Sequence, residues 1–165
     1  EFGSGVVLDG PGVTWQNRGA SFSLDQASHV ALAPGRKPFH TLNPAFARLG
    51  DGREIVYGNM GGDGQPQSQA AVFSRYAMYG QDLQQAVNAP RWLLGRTWGN
   101  MSVSLKLERR FDPSLVDALR RAGHEVELVD EYSDLVGHAG ALVRNAEGVI
   151  VGATDPRSDG AVAGW

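Results

Sequence analysis

The sequence predicts an α+β fold in which helices are layered on a mostly antiparallel sheet. Three patterns support this class: a β-hairpin near each end of the chain, two helical patterns between them, and a strand–helix–strand unit before the second hairpin. At 165 residues the chain has the size of one domain and can bury a core without disulfides or metals. No internal repeat or linker divides it, so we interpret residues 1–165 as a single domain or as one part of a domain.

The first third of the chain predicts a hairpin followed by a long ordered loop. Two short β-prone runs flank Asp9-Gly10-Pro11-Gly12, a loop slightly longer than the tightest hairpin turns. Residues 18–46 show no clean period and contain several prolines and small residues, which favours an ordered loop over a regular element. Loops of this length in compact domains are often functional.

The middle of the chain predicts one strand and two helices. Residues 53–60 have the composition of a strand, and residues 66–80 place apolar side chains at helical spacing. Residues 82–90 predict a second, shorter helix, capped by Asp82 and stopped by Pro90.

The last third predicts a strand–helix–strand unit and a hairpin. Residues 102–108 alternate as in a strand, and residues 112–123 begin with an Asp cap and a Pro in the first helical turn. Residues 124–130 alternate again, and residues 139–160 predict a hairpin whose turn is at residues 145–148.

Composition and charge exclude several functional classes. The net charge is −3 and Lys and Arg are scattered, so no basic patch suits nucleic acid or an anionic membrane. The chain has no Cys, which rules out a thiol nucleophile and a thiolate metal site. No apolar run approaches the roughly 20 residues that span a bilayer. We expect neither a nucleic-acid nor a membrane partner, and a cytoplasmic location with the periplasm as the alternative.

A glycine-rich turn, GNMGGDGQ at residues 58–65, joins the central strand to the first helix. Such a turn presents free backbone N–H groups, which suit a phosphate or the oxyanion of acyl transfer. The spacing matches neither the Walker loop nor the dinucleotide fingerprint, which disfavours phosphate. An oxyanion cradle therefore remains, beside the simpler interpretation that the turn uses glycine for positive φ.

Other candidate residues are less specific. His40 and Thr41 lie between two prolines, where a stiff loop can form a substrate wall or simply carry a surface histidine. The remaining histidines have no ligand-like spacing, so we expect no metal and no cofactor. The acidic run VDEYSD at residues 129–134 favours a solvated loop. In PRWLLGRTWG at residues 90–99, aromatic and cationic side chains could line a cleft or cover a helix.

No nucleophile is apparent in the chain. No Ser lies in a nucleophile-elbow pattern, and no His–Asp pair is placed to activate one. The sequence thus contains a cradle for an oxyanion without a group to attack the substrate.

Five segments, taken in order, resemble the C-terminal, small-subunit portion of the γ-glutamyltransferase family. They are FGSG at 2–5, PGRKPFHTLNPAF at 34–46, GNMGGDGQ at 58–65, AVNAPRW at 86–92 and GATDPRSDGAVAGW at 152–165. The resemblance covers essentially the whole chain. It implies a four-layered αββα sandwich of the N-terminal-nucleophile hydrolases, to which this chain contributes part and a large subunit from the same precursor contributes the rest.

The resemblance also implies a mechanism. A precursor cuts itself and exposes a Thr, whose hydroxyl attacks an amide while its own amine acts as general base. That Thr is expected a short stretch upstream of residues 2–5, so we expect this chain to lack the nucleophile segment. The family's oxyanion-hole glycines correspond to Gly61 and Gly62.

The substrate-binding positions differ from those of glutamyl-binding members. Two adjacent serines of the family are replaced by His40 and Thr41, and the family pattern NNxMDDFS reads QNRGASFS here. The acid that binds the substrate's α-amino group is thus replaced by Ser21, and Arg18 appears nearby. A desolvated ammonium without its carboxylate is costly, whereas Arg18 could hold a carboxylate bidentately.

We therefore expect an amide hydrolase of the acylase-like or oxamate amidohydrolase-like branch, acting on a small carboxylate-bearing amide. The alternatives are a genuine γ-glutamyl hydrolase or transpeptidase, and a non-catalytic member that serves as a structural or binding domain.

Overall fold

The computed structural model describes residues 4–97, 99 and 101–164. These residues form two compact units, Glu1–Asn43 and Pro44–Trp165. Trp98 and part of the first and last resemblance segments lie outside the described residues. The assignment of residues 1–165 to a single domain stays a prediction.

The first unit consists of a hairpin and an ordered loop, as predicted. Strands β1 (Val7–Leu8) and β2 (Val13–Thr14) pair antiparallel, with Val7 opposite Thr14. A 3-10 turn follows at Arg18–Ser21, and beyond it the chain is irregular, with the side chain of Ala31 buried.

The second unit is built around a four-stranded antiparallel sheet, which confirms the predicted central strand and C-terminal hairpin. Its order is β3-β4-β8-β9, and its strands are β3 Ala45–Arg48, β4 Glu54–Met60, β8 His138–Arg144 and β9 Ile150–Thr154. Strand β3 was not predicted, because four residues at the end of a Pro-rich loop carry too little pattern. Its pairing with β4, with Phe46 opposite Val56, makes it a strand.

Helices α1 (Gln65–Ala77) and α2 (Leu83–Asn88) cover one face of this sheet, as predicted. The Asp82 side chain caps α2 by accepting a hydrogen bond from the Gln85 N–H at 3.1 Å. The apolar core between the helices and the sheet includes Ile55, Val72, Leu83, Val87, Ala141 and Val143. Burial of this apolar surface is the main contribution that holds the helices to the sheet.

A second, three-stranded sheet contains the predicted strand–helix–strand unit. Its strands are β5 Trp92–Leu94, β6 Leu105–Glu108 and β7 Val126–Val129. Helix α3, Pro113–Arg121, connects β6 to β7. Strands β6 and β7 are parallel and adjacent, and β5 pairs antiparallel with β6. All four residues of β6 are buried, so the alternation expected over residues 102–108 does not hold there.

The two less specific candidate segments differ in burial. Trp92 lies in strand β5, half-buried against a small core that includes Leu107 of β6 and Val116 of α3. Strand β5 was not predicted, because a three-residue strand has no readable period. The acidic residues Asp130 and Glu131 are exposed, as the solvated-loop interpretation predicts.

A buried ionic network connects the two sheets. Arg157 follows β9, and its guanidinium donates to Glu108 at the end of β6 at 2.5 and 2.7 Å. Arg91, which precedes β5, pairs with Asp155, and all four side chains are fully buried. These opposite charges compensate one another away from water and connect the end of β6 to the segment that follows β9.

Candidate active site

The glycine-rich turn follows directly from strand β4 and leads into α1. Gly61 comes immediately after the strand, and a 3-10 turn at Gly62–Gly64 precedes the helix. Gly62 has φ of 53°, a left-handed conformation that favours glycine. The simple role of supplying positive φ therefore applies to Gly62.

The N–H groups of the turn are available to a ligand. Among the described residues, the N–H groups of Gly61 and Gly62 donate no backbone hydrogen bond, whereas the Gly64 N–H donates to the Gly61 carbonyl at 2.9 Å. The thirteen-residue helix α1 begins immediately behind the turn and adds the positive end of its dipole. Among the described residues these two N–H groups have no backbone acceptor, and donors placed beside a helix N-terminus suit an anionic group such as the oxyanion of acyl transfer.

The position of the turn depends on a close backbone contact with Gly137, which precedes β8. A Cβ atom on Gly61 would lie 3.3 Å from the Gly137 Cα, and one on Gly137 would lie 2.2 Å from the Met60 carbonyl oxygen. Gly137 also has φ of 81°. The sequence interpretation missed Gly137, for which the available signal was a glycine immediately before a strand.

Side chains behind the turn hold its far end. The Asn59 amide donates to the Ser68 hydroxyl, which in turn donates to the Gly64 carbonyl at 2.9 Å. Ser68 is buried on α1, so these hydrogen bonds connect the helix to the end of strand β4. Sequence reasoning missed both residues, because Asn and Ser at these positions match no motif.

Gln67 accounts for one of the three glutamines that follow the glycines. Its side-chain amide donates to the Leu94 carbonyl at 2.9 Å and accepts from the Leu94 N–H at 2.8 Å. These two hydrogen bonds to the backbone connect α1 to strand β5. The residue therefore acts structurally, by satisfying both polar groups at one position of the strand.

The four predicted substrate-binding residues lie in the first unit, and Gly61 and Gly62 lie in the second. Ser21 donates its hydroxyl to the Arg18 carbonyl at 2.6 Å and lies 3.1 Å from the Phe39 carbonyl oxygen. The contact with Phe39 places the Arg18 turn next to the segment that carries His40 and Thr41. Because the Ser21 hydroxyl is engaged by the backbone, it mainly holds these two segments together.

Arg18 and His40 present free polar groups within the first unit. The Arg18 guanidinium has no ion pair or hydrogen bond to any residue that the structure describes, and its Nε atom is buried. His40 accepts a hydrogen bond from the Leu42 N–H on Nδ1 at 3.1 Å. In the neutral imidazole this leaves Nε2 as the protonated nitrogen. Both His40 and Thr41 are exposed.

Residues 4–97, 99 and 101–164 contain no group of three or more His, Asp or Glu side chains placed to hold a metal. In the same part of the chain, no helix has the length and apolar character required to cross a bilayer.

Comparisons with known proteins identify a family and several relatives of this chain. The family model for gamma-glutamyltranspeptidase matches residues 1–165. The oxamate amidohydrolase proenzyme of Klebsiella pneumoniae is 62% identical over 165 residues, which is 100% of this chain and 31% of that protein. The glutathione hydrolase-like YwrD proenzyme of Bacillus subtilis is 44% identical over 164 residues, 99% of this chain and 31% of that protein.

A solved structure agrees with the fold. The cephalosporin acylase of Bacillus halodurans superposes with a TM-score of 0.64 at 31% identity, over 93% of this chain and 28% of that one. The chain thus has the N-terminal-nucleophile hydrolase fold that the resemblance implied, and it spans about a third of the length of the curated relatives it matches. Since the family model matches every residue from 1 to 165, the chain belongs to the γ-glutamyltranspeptidase family.

Proposed function

We propose that this chain is the C-terminal part of an amide hydrolase or acyl transferase that acts on a small carboxylate-bearing amide of the oxamate type. The observation that carries the proposal is the Arg18 guanidinium, which has no partner among the described residues. The name of the 62% identical relative, oxamate amidohydrolase proenzyme, supports the same substrate class.

In this proposal the nucleophile is an N-terminal Thr upstream of residue 1. Its hydroxyl attacks the amide carbonyl while its amine takes the proton. The N–H groups of Gly61 and Gly62 donate to the tetrahedral oxyanion, and the protonated amine then gives its proton to the amide nitrogen, which leaves as ammonia. Water hydrolyses the resulting acyl ester by the same steps and regenerates the Thr hydroxyl. Two backbone donors of this kind each contribute on the order of a hundredfold to the rate.

Arg18 would select the substrate by charge. A guanidinium can hold a carboxylate through two parallel N–H···O bonds, which adds orientation as well as energy. A γ-glutamyl group carries an α-ammonium beside its α-carboxylate, so the Arg18 charge would attract one of these groups and repel the other. The replacement of the family's acid by Ser21 removes the group that would have compensated this ammonium.

We expect the processed protein to release ammonia from oxamate and to act poorly on γ-glutamyl-p-nitroanilide. Arg18→Met should raise KM for oxamate roughly tenfold to a hundredfold, because a hydrogen bond to a charged group contributes about 1.5–3 kcal/mol. Its KM for oxamide, the neutral analogue, should be unchanged. The measurement is ammonia release over a substrate series with both amides.

Equal losses on oxamate and oxamide would show that Arg18 does not bind the carboxylate. Efficient turnover of the γ-glutamyl anilide would instead favour the second candidate function, a γ-glutamyl hydrolase. The name of the 44% identical relative, glutathione hydrolase-like YwrD proenzyme, supports that candidate. A mature small subunit that begins with neither Thr nor Ser would favour the non-catalytic alternative.

We also propose that a large subunit from the same precursor covers the open face of the four-stranded sheet. Helices α1 and α2 cover the other face, and on the open face Phe46, Val56 and Leu142 are 58%, 46% and 46% exposed. An apolar sheet face of this kind marks an interaction site rather than a solvent-facing surface. Both curated relatives are named proenzymes, and each is about three times as long as the matched segment.

Leu142→Asp in the full precursor should prevent stable assembly of the two subunits, because a buried unpaired carboxylate costs several kcal/mol. Leu115→Asp on α3 is the matched control, since Leu115 is 44% exposed but lies outside the sheet face. Size-exclusion chromatography of both processed variants is the measurement. Normal assembly of Leu142→Asp would contradict this placement of the large subunit.

A further inference from the structure

We propose that Thr97 is a positioning residue for the glycine-rich turn. This inference rests on the proposed function of Gly61 and Gly62 as oxyanion donors. Thr97 is 2% exposed, and its hydroxyl donates to the Gly61 carbonyl oxygen at 3.2 Å. It lies 36 residues from Gly61 in the sequence, beyond helices α1 and α2, so no motif connects the two. Its role is to orient the Gly62 N–H through the peptide group that the two glycines share.

The geometry of the peptide bond transmits this effect. The Gly61 carbonyl and the Gly62 N–H belong to one planar trans peptide, so they point in opposite directions. The carbonyl is held from two sides, by the Thr97 hydroxyl at 3.2 Å and by the Gly64 N–H at 2.9 Å. Fixing the carbonyl therefore fixes the direction in which the Gly62 N–H donates.

A Gly-Gly peptide needs such a restraint more than other peptides do. Glycine reaches both signs of φ at similar energy, so the plane between two glycines can rotate with little steric cost. A donor that rotates away from the developing oxyanion contributes nothing in the transition state. The hydroxyl of Thr97 also polarises the peptide, because hydrogen bonds in a chain strengthen one another.

Described residues before and after Thr97 are anchored by hydrogen bonds. Leu94, three residues earlier, is bonded through both its N–H and its carbonyl to Gln67. The buried Lys106 ammonium donates to the Gly95 carbonyl at 3.0 Å and to the Ser102 hydroxyl at 2.8 Å, on either side of Thr97. The Lys106 bonds come from strand β6, so part of the support for Thr97 lies outside the turn and the helix that follows it.

The test compares Thr97→Val, Thr97→Ser and Thr97→Ala in the processed two-subunit protein, with oxamate as substrate. Thr97→Val keeps the shape of the side chain and lacks the hydroxyl, and we expect its kcat to fall roughly tenfold to a hundredfold with KM unchanged. Thr97→Ser keeps the hydroxyl and should keep kcat within about threefold. Ser and Ala differ only in the hydroxyl, so this pair decides the question if the Val variant does not fold.

The outcomes separate this inference from the proposed function. If the wild-type protein hydrolyses oxamate and Thr97→Val or Thr97→Ala matches its kcat, the positioning role is wrong and the proposed function stands. An equal loss of kcat in the Ser and Ala variants would assign the effect to the methyl group and also overturn the inference. A processed wild-type protein that cleaves no amide would overturn the proposed function and this inference together.

Discussion

Asp155→Asn is expected to lower the free energy of unfolding by about 3–5 kcal/mol, because it removes the counter-charge of two buried arginines. The Asp155 carboxylate pairs with Arg91 and accepts from the Arg157 guanidinium at 3.0 Å. It also accepts backbone N–H groups of Ala139 at 2.6 Å and Arg157 at 3.0 Å. A neutral amide of the same shape would turn an NH₂ group toward at least one of these donors.

The surroundings of Asp155 explain the size of the expected loss. Burial lowers the pKa of Arg91 to about 10 against the opposing charge of Asp155, so Arg91 is still charged at neutral pH. Two of its guanidinium nitrogens, Nε and Nη1, are buried and have no partner among the described residues. Without Asp155, the Arg91 guanidinium would lose its ion-pair partner, and the charge of Glu108 would offset it without a direct side-chain bond among the described residues.

The effect of Asp155→Asn should depend on pH in a defined direction. Burial by itself raises the pKa of Asp155, but Arg91, the N–H groups of Ala139 and Arg157, and the Arg157 charge together hold it below its usual value. Because the folded pKa lies below the unfolded one, the carboxylate stabilises the protein fully above about pH 4. This stabilisation is lost as the pH falls through the folded pKa.

Urea unfolding of wild type and variant between pH 3 and 7 measures this effect, and the difference should shrink below about pH 4. Asp130→Asn is the matched control, because the Asp130 carboxylate is 96% exposed and 3.9 Å from Arg109. A surface pair of this kind contributes about 1 kcal/mol or less. If both Asn variants unfolded at the same urea concentration, the network would not hold the sheets together as described.

Gly137→Ala is expected to cost about 2–5 kcal/mol of unfolding free energy and about a hundredfold in kcat. About 1–2 kcal/mol comes from the positive φ and about 1–3 kcal/mol from overpacking. The new methyl group would lie 2.2 Å from the Met60 carbonyl oxygen, which is backbone and cannot rotate aside. Strand β4 would have to shift immediately before Gly61, and misplacing a catalytic group by about 1 Å can cost a hundredfold in rate.

Gly148→Ala is the matched control, because it introduces the same backbone strain without displacing a neighbouring strand. Gly148 has φ of 88° in the β8–β9 turn, and a Cβ atom there would meet no atom within 4 Å. We therefore expect it to lose only the about 1–2 kcal/mol of the left-handed conformation, with kcat unchanged. Calorimetry and oxamate turnover on the two variants provide the comparison. Wild-type kcat in a folded Gly137→Ala protein would contradict the dependence of the turn on this glycine.

Most of the regular structure could be predicted from local patterns. Helices α1, α2 and α3 carry helical spacing with a cap or a stop, and β4, β8 and β9 are long enough for their composition and turns to be read. Strands β3 and β5 were missed because their four and three residues contain at most two repeats of the strand period. Their partners in the sheet, β4 and β6, make them strands.

Some residues of the candidate site could likewise be predicted from local patterns, and others could not. The glycine pair Gly61-Gly62 and the departures at Arg18 and Ser21 could be identified from the sequence, because adjacent residues of special type form a motif. Gly137 and Thr97 contact Gly61 from positions 76 and 36 residues away along the chain, and neither has a neighbouring residue that marks it.

By itself, the sequence determined the family, the glycine turn between a strand and a helix, and the change of charge at the expected substrate loop. These features depend on residues next to one another in the chain, where backbone freedom, capping and charge act locally. Only the tertiary structure decided which groups hold the turn and which charges are buried together. Packing brings Gly137 against Met60, Thr97 against Gly61, and Asp155 against Arg91, and such contacts between distant residues have no local sequence signal.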